Sequence, residues 1–134
     1  MIAKDLMSEV VLTVSEDATI GEVAEIFQEK SIRHLPVVDG TELVGIVSDR
    51  DIRNLFVPRL IDEEGLDSIK ARYGQPISTL MATDVIKVNE DAELADVVEL
   101  MLEYKVGAVP VVEESTGDLK GIISYIDVLR TTVD

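Results

Sequence analysis

The sequence predicts an α/β (α+β) fold built from two β-α-β-β-α units that pack through their sheets. Three observations carry this. The first half of the chain recurs in the second half. Each copy holds short runs of Val, Ile and Leu, the composition of strands. Between the first and second of those runs lies a segment with apolar residues at helical spacing.

The recurrence sets the frame. Under a shift of 74 positions, Met7 falls on Met81, Val11 on Val85, Val14 on Val88, and Glu16-Asp17-Ala18 on Glu90-Asp91-Ala92. Val23, Glu25 and Glu29 fall on Val97, Glu99 and Glu103, and Pro36-Val37-Val38 on Pro110-Val111-Val112. From position 7 to 38, 12 of 32 positions are identical. Two residues are then added within Glu113–Asp118, a polar turn of the kind that tolerates insertion. Beyond it the shift is 76, with Leu43 on Leu119, Gly45-Ile46 on Gly121-Ile122, Ser48 on Ser124 and Asp51 on Asp127.

Each unit opens with a short strand, Val10–Val14 and Val85–Val88. Ser15-Glu16-Asp17 and Asn89-Glu90-Asp91 follow as turn-and-start signals, with acids near a helix N-terminus, which favours them. Ile20, Val23, Ala24 and Phe27, like Leu94, Val97, Val98 and Met101, keep the i, i+3, i+4, i+7 spacing of a helix with one apolar face. Two strands come next, Leu35–Val38 and Leu43–Val47, turning at Asp39-Gly40. Their counterparts are Val109–Val112 and Leu119–Ile123, turning at Thr116-Gly117-Asp118. A second helix starts after Ser48 and after Ser124, both good capping residues. Asn54–Gln75 belongs to neither copy; Leu60, Ile61, Ile69 and Tyr73 predict a helical connector that ends at Gly74 and Pro76. The expected division is a first repeat over 1–56, a connector over 57–76 and a second repeat over 77–134. One such unit cannot cover both faces of its sheet, so the two are expected to pair.

Composition narrows the function. The net charge is −15, from 12 basic and 27 acidic residues, which repels a phosphate backbone and argues against a nucleic-acid partner. A nucleotide site in such a chain needs local donors: backbone N–H groups, a helix N-terminus or a well-placed arginine. With no cysteine, disulfides, thiolate catalysis and zinc–sulfur sites are excluded. No run approaches the about 18 apolar residues of a membrane span, and the first residues lack a signal-peptide core. A cytoplasmic protein without membrane insertion is the expectation.

The text Leu35-Pro36-Val37-Val38, followed by Gly45-Ile46-Val47-Ser48-Asp49-Arg50-Asp51, resembles a cystathionine-β-synthase-type (CBS) repeat. The second copy reads Val109-Pro110-Val111-Val112 and then Gly121-Ile122-Ile123-Ser124-Tyr125-Ile126-Asp127, and both copies open on Leu-Met, at Leu6-Met7 and Leu80-Met81. The resemblance runs from about Ala3 to Leu129. It implies a Bateman module, two repeats related by a pseudo-two-fold axis, with two clefts that hold AMP, ADP or ATP in many members and S-adenosylmethionine or NAD in some. It also implies a homodimer acting on an effector protein. A stand-alone protein of prokaryotic type, the module with no attached effector domain, is expected.

In the Gly-x-x-Ser-x-x-Asp text, the serine hydroxyl and the first helical N–H groups suit a phosphate. The aspartate one turn on suits the two hydroxyls of a ribose, and the glycines Gly45 and Gly121 permit close backbone approach. The plain alternative is that Ser48 and Ser124 only cap helices and Asp51 and Asp127 only complement the helix ends. The resemblance implies composite clefts. One combines Ser48, Arg50 and Asp51 with Ile86, Val106, Gly107 and Pro110. The other combines Ser124 and Asp127 with Leu12, Ile32, Arg33 and Pro36. Arg50 corresponds to Ile126 and Arg33 to Gly107, so each cleft gains one arginine, which favours AMP or ADP over tight ATP binding.

No metal is expected: His34 is the only histidine, read as a cleft-rim or partly buried residue. Met7, Met81 and Met101 read as core filler. Glu63-Glu64 and Glu113-Glu114 read as solvated surface, and Asp49 with Arg50 as a weak surface ion pair. An enzyme is not expected, since the sequence has no nucleophile–base pair, although acidic residues leave a Mg²⁺-dependent hydrolase open. A protein-binding scaffold is the other alternative, with Ile52, Leu55, Val128, Leu129, Ile26 and Leu100 as candidate docking residues.

Overall fold

The computed structural model of the chain describes residues 1–9, 12–55 and 63–133, with the side chains of 63–66 excepted. Two three-stranded sheets carry the fold. The first repeat supplies β1 (Val14–Ser15), α2 (Ile20–Lys30), β2 (His34–Asp39), β3 (Glu42–Ser48) and α3 (Asp49–Asn54). The second supplies β4 (Val88–Asn89), α5 (Leu94–Tyr104), β5 (Ala108–Val112), β6 (Leu119–Ser124) and α6 (Tyr125–Arg130). Both run β-α-β-β-α. The sheet orders are β1-β2-β3 and β4-β5-β6. β1 pairs in parallel with β2 through Val14 and Val37, and β4 with β5 through Val88 and Val111, the same register in both copies.

Each sheet is covered by its helix along the expected stripe. Ile20, Val23 and Phe27 of α2 join Leu35, Val37, Val47 and Ile52 in one core. Val97 of α5 joins Val88, Val109, Val111 and Ile123 in the other. Helix α4 (Glu63–Tyr73) packs on α2, where a methyl on Gly21 would stand 3.3 Å from the Tyr73 carbonyl oxygen. The expected strand residues Val10 and Val11, the connector residues Leu60 and Ile61, and the side chains of Glu63 and Glu64 lie outside the described residues.

The long helix of each repeat begins at the first apolar residue of its expected stripe. Helix α2 begins at Ile20, capped by Thr19 in a reciprocal box with Glu22, and α5 begins at Leu94 after Glu93. Ser15 and Asn89 close the turns that precede them: their side-chain oxygens accept from the N–H of Asp17 at 3.2 Å and of Asp91 at 3.0 Å. Such side chains compete with the helix for backbone donors.

The compact units do not follow the repeats. One consists of Met1–Leu12, Gly40–Leu43 and Asp84–Asp134, the other of Thr13–Asp39 and Val44–Thr83. The lead segment of each copy docks on the core of the other copy. In the first unit α1 (Ala3–Leu6) belongs to the second repeat's core: Ala3 N–H donates to the Ala92 carbonyl at 2.7 Å, and Ser8 pairs with Ile122. In the other unit a single 3₁₀ turn, Ile77–Thr79, belongs to the first repeat's core: Ile77 N–H donates to the Ala18 carbonyl at 2.6 Å, and Ala82 pairs with Ile46. Ala3 and Ile77, equivalent under the repeat, are both fully buried.

This exchange explains two glycines. A methyl on Gly45 would collide with the Met81 sulfur, and one on Gly121 would lie 2.6 Å from the Met7 sulfur and 2.7 Å from the Ser8 carbonyl oxygen. The close approach that these glycines permit is that of the exchanged segment. Met7 and Met81 pack against the two cores, as their sequence setting predicts.

Candidate functional site

The Ser–Asp pairs stand where the last strand of each repeat turns into its last helix. Ser48 is extended, at φ −110° and ψ 159°, so it ends β3 and caps α3. Its Oγ accepts from the Asp51 N–H at 3.2 Å, and its own N–H donates to Asp51 Oδ2 at 2.9 Å. Ser124 and Asp127 repeat the arrangement at 3.2 and 2.8 Å, and the Ser124 hydroxyl also donates to Asp127 Oδ2 at 3.0 Å. The serines therefore do the capping that the plain alternative assigns them. Each aspartate is half-buried and held by one oxygen. Among the described residues its Oδ1 takes no hydrogen bond. A carboxylate fixed on one side and open on the other can accept from a neutral diol.

The strand that enters each sheet is clipped to the same helix start. The Asp49 N–H donates to the Arg33 carbonyl at 2.9 Å, and the Tyr125 N–H donates to the Gly107 carbonyl at 2.9 Å. In the first repeat this gathers Arg33, His34, Ser48 and Asp51. Burial holds the His34 pKa below its ordinary value; the Asp51 carboxylate opposes that shift and the Arg33 guanidinium reinforces it. His34 is thus a neutral, half-buried neighbour of Asp51 near pH 7. Sequence reasoning placed it at a rim but not beside Asp51; its position next to Arg33 is the only signal.

The two half-sites are chemically unequal. Arg33 and Arg50 are both exposed in the first repeat, whereas their counterparts are Gly107 and Ile126. Of the expected base-side residues, Ile32, Ile86, Val106 and Gly107 are half-buried, Leu12 is exposed, and Pro36 and Pro110 are fully buried. The expected Asp49–Arg50 ion pair is instead Asp49–Arg53, at 3.3 Å, because residues four apart face each other on a helix. Glu113 is half-buried rather than simply solvated and lies 3.6 Å from the Lys120 ammonium. A separate open depression of about 350 Å³, lined by Lys87, Asn89, Val112, Glu113 and others, contains none of the expected site residues. Among the described residues no group of three or more His, Asp or Glu is placed to hold a metal. Among them also, no helix is long and apolar enough to cross a membrane.

Two β-α-β-β-α units with matching Ser–Asp boxes define a protein with a duplicated polar motif, one where the last strand of each sheet meets its helix. The family model for the CBS domain matches residues 3–58 and 77–134. The chain belongs to the CBS-domain family, as a tandem pair. The CBS domain-containing protein YhcV of Bacillus subtilis is 30% identical over 125 residues, covering 92% of this chain and 80% of that protein. The uncharacterized protein MJ1404 of Methanocaldococcus jannaschii is 32% identical over 133 residues. The match to MJ1404 covers 96% of this chain and 31% of that protein, so the chain spans about a third of the length of such relatives. Among solved structures, CBSX2 in complex with AMP superposes with a TM-score of 0.82 at 30% identity, covering 98% of this chain and 95% of that one. The CBS domain pair of protein MJ0100, in complex with 5-methylthioadenosine and S-adenosyl-L-methionine, superposes at 0.79 with 28% identity and the same coverages.

Proposed function

We propose that this chain is a regulatory module that binds an adenine nucleotide, AMP or ADP ahead of ATP, and passes the occupancy of its sites to an effector protein as a homodimer. The observation that carries the reading is the twin Ser–Asp box, which leaves one carboxylate oxygen of Asp51 and of Asp127 open to a ribose diol. The adenosine-bearing ligands of CBSX2 and of the MJ0100 pair, both similar over nearly the whole chain, support the ligand class. Arg33 and Arg50 are the cations available for phosphate. The base-side partners implied by the resemblance, Ile86, Val106, Gly107 and Pro110 for Asp51 and Leu12, Ile32, Arg33 and Pro36 for Asp127, are part of the proposal. So is the division into repeats over 1–56 and 77–134. The module binds rather than catalyses: the sequence has no cysteine, and its one histidine is engaged beside Asp51 and Arg33. A ligand regulates only through unequal affinity for two arrangements of the protein.

Thermal denaturation with AMP, ADP, ATP, S-adenosylmethionine and NAD tests this. A ligand at 100 times its Kd adds about 2.7 kcal/mol of stability. AMP or ADP is expected to raise the melting temperature, and Asp51→Ala with Asp127→Ala is expected to abolish the rise. No shift with any of the five at millimolar concentration would overturn the proposal.

A further inference from the structure

Two unused, complementary groups share one cluster in the first repeat. Among the described residues the His34 side chain makes no hydrogen bond, and Oδ1 of Asp51 takes none. The backbone brings them together. The Asp49 N–H donates to the Arg33 carbonyl at 2.9 Å, which fixes the start of β2 against the first turn of α3. Strand alternation turns Leu35 and Val37 into the core under α2 and His34 to the other face. The charges that act on the imidazole are those of Asp51 and Arg33. Its other surroundings are quiet. Strand β1 carries no charge, Glu42 lies at the far end of β3, Asp49 is paired with Arg53, and Arg50 is exposed. Glu22, Glu25, Glu29 and Lys30 belong to α2, which covers the opposite face. The second repeat has no such pair. Ala108 stands in place of His34 and Gly107 in place of Arg33, and the Ser124 hydroxyl adds a bond to Asp127.

We infer that His34 is a proton-operated latch on the Asp51 half-site: the imidazolium engages the open carboxylate oxygen and shuts out a ribose diol, while the Asp127 half-site has no such control. The neutral imidazole leaves that oxygen to the diol. The imidazolium donates from both ring nitrogens and offers a charge-assisted bond that a neutral hydroxyl does not match. Burial disfavours the imidazolium, so the latch is open near neutral pH and closes only as pH falls below the ordinary histidine value of 6.5. Acid therefore removes one half-site and spares the other. The inference rests on the ribose role proposed for Asp51 and adds what regulates it.

Proton NMR of the whole chain reads the latch directly, because its one histidine gives one imidazole signal. Without ligand, Asp51→Asn is expected to lower the His34 midpoint and Asp127→Asn to leave it in place; equal midpoints in the wild type and Asp51→Asn would overturn the inference. Adenosine is the probe for the bound state, since it carries the diol but no phosphate to titrate in the same range. Saturating adenosine is expected to lower the midpoint further, because a ligand that prefers the unprotonated form makes the proton harder to add. Titration calorimetry reads the other side of the same linkage. In Asp127→Asn, which keeps the Asp51 half-site, adenosine affinity is expected to fall about tenfold per pH unit below the midpoint. Adding His34→Gln removes that slope, and Asp51→Asn, which keeps the Asp127 half-site, lacks it. Equal slopes in all three, flat or steep, overturn the latch and leave the nucleotide reading standing. No adenosine binding at about pH 7.5 overturns the ribose role of Asp51, and the latch with it.

Discussion

Gly121→Ala and Gly45→Ala are expected to destabilise the protein unequally, and the inequality can be worked from what each new methyl meets. At Gly121 the methyl would sit 2.7 Å from the Ser8 carbonyl oxygen and 2.9 Å from Met7 Cγ. Ser8 cannot easily retreat, because its N–H and carbonyl both pair with Ile122, at 3.0 and 3.2 Å. At Gly45 the nearest backbone atom is the Ala82 oxygen at 3.1 Å, and the real obstacle is the Met81 side chain, which can rotate. Overfilling a packed site costs about 1–3 kcal/mol, while replacing glycine by alanine returns about 0.4–1 kcal/mol through the unfolded chain. The net cost is therefore about 2 kcal/mol at Gly121 and about 1 kcal/mol at Gly45. Urea denaturation followed by circular dichroism measures both, as a lower midpoint at unchanged slope. The decisive step is a pair of double-mutant cycles. Met81→Ala is expected to recover most of the cost of Gly45→Ala. Met7→Ala is expected to recover only part of the cost of Gly121→Ala, since the Ser8 oxygen stays in place. Equal costs at the two glycines, or a Met81→Ala cost that simply adds to that of Gly45→Ala, would refute the reasoning.

Ser48→Ala and Ser124→Ala each remove the acceptor of the Asp51 or Asp127 N–H and are expected to cost about 1 kcal/mol by urea denaturation. Each is also expected to weaken nucleotide binding less than loss of the aspartate does, which titration calorimetry would show. His34 carries a pH dependence with a definite sign. Its folded pKa lies below the ordinary 6.5, so the unfolded chain binds the proton more readily. That contribution to stability is complete above the unfolded value and is lost as pH falls through the folded one. Between about pH 7.5 and about pH 5.5 the wild type is expected to lose more stability than His34→Gln; an equal loss in the two would sink this assignment.

The sequence carried the duplicated framework well, because a two-residue strand period and a 3.6-residue helix period are written directly in the positions of Val, Ile and Leu. The strands around Pro36 and Pro110 and the caps at Ser48 and Ser124 stand within a residue or two of expectation. The turn-and-start text at Ser15 and Asn89 is legible too: each side chain bonds two residues ahead and holds the chain in a turn before its helix. The box Thr19-x-x-Glu22 was present to be read and marks the true start of α2. What the sequence could not show is which distant segment lies against which glycine. Gly45 and Gly121 fit a ligand approach on motif grounds, and only the fold reveals Met81 and Met7 above them. The outward face of the last helices was also beyond reach. Ile52 is buried, while Ile26, Leu55, Leu100 and Val128 are partly buried against the cores, leaving Leu129 alone of the expected docking residues exposed. A six-residue helix has fewer than two turns, too few for spacing to say which stripe faces inward.

The crossed-over lead segments fix an order of events during synthesis. When the first sheet leaves the ribosome, the Pro76–Ala82 stretch that finishes its core has not yet been made, so Ile46 and Ala18 lack their partners. The segment from Met1 to Ser8 waits longer still, since its partners Ala92 and Ile122 are made well after the first sheet. Such late, distant closures slow folding and leave an unfinished sheet edge open to wrong pairing. For the same reason a cut within 57–62 would strand each core from the piece that closes it, and neither half would be a self-sufficient protein.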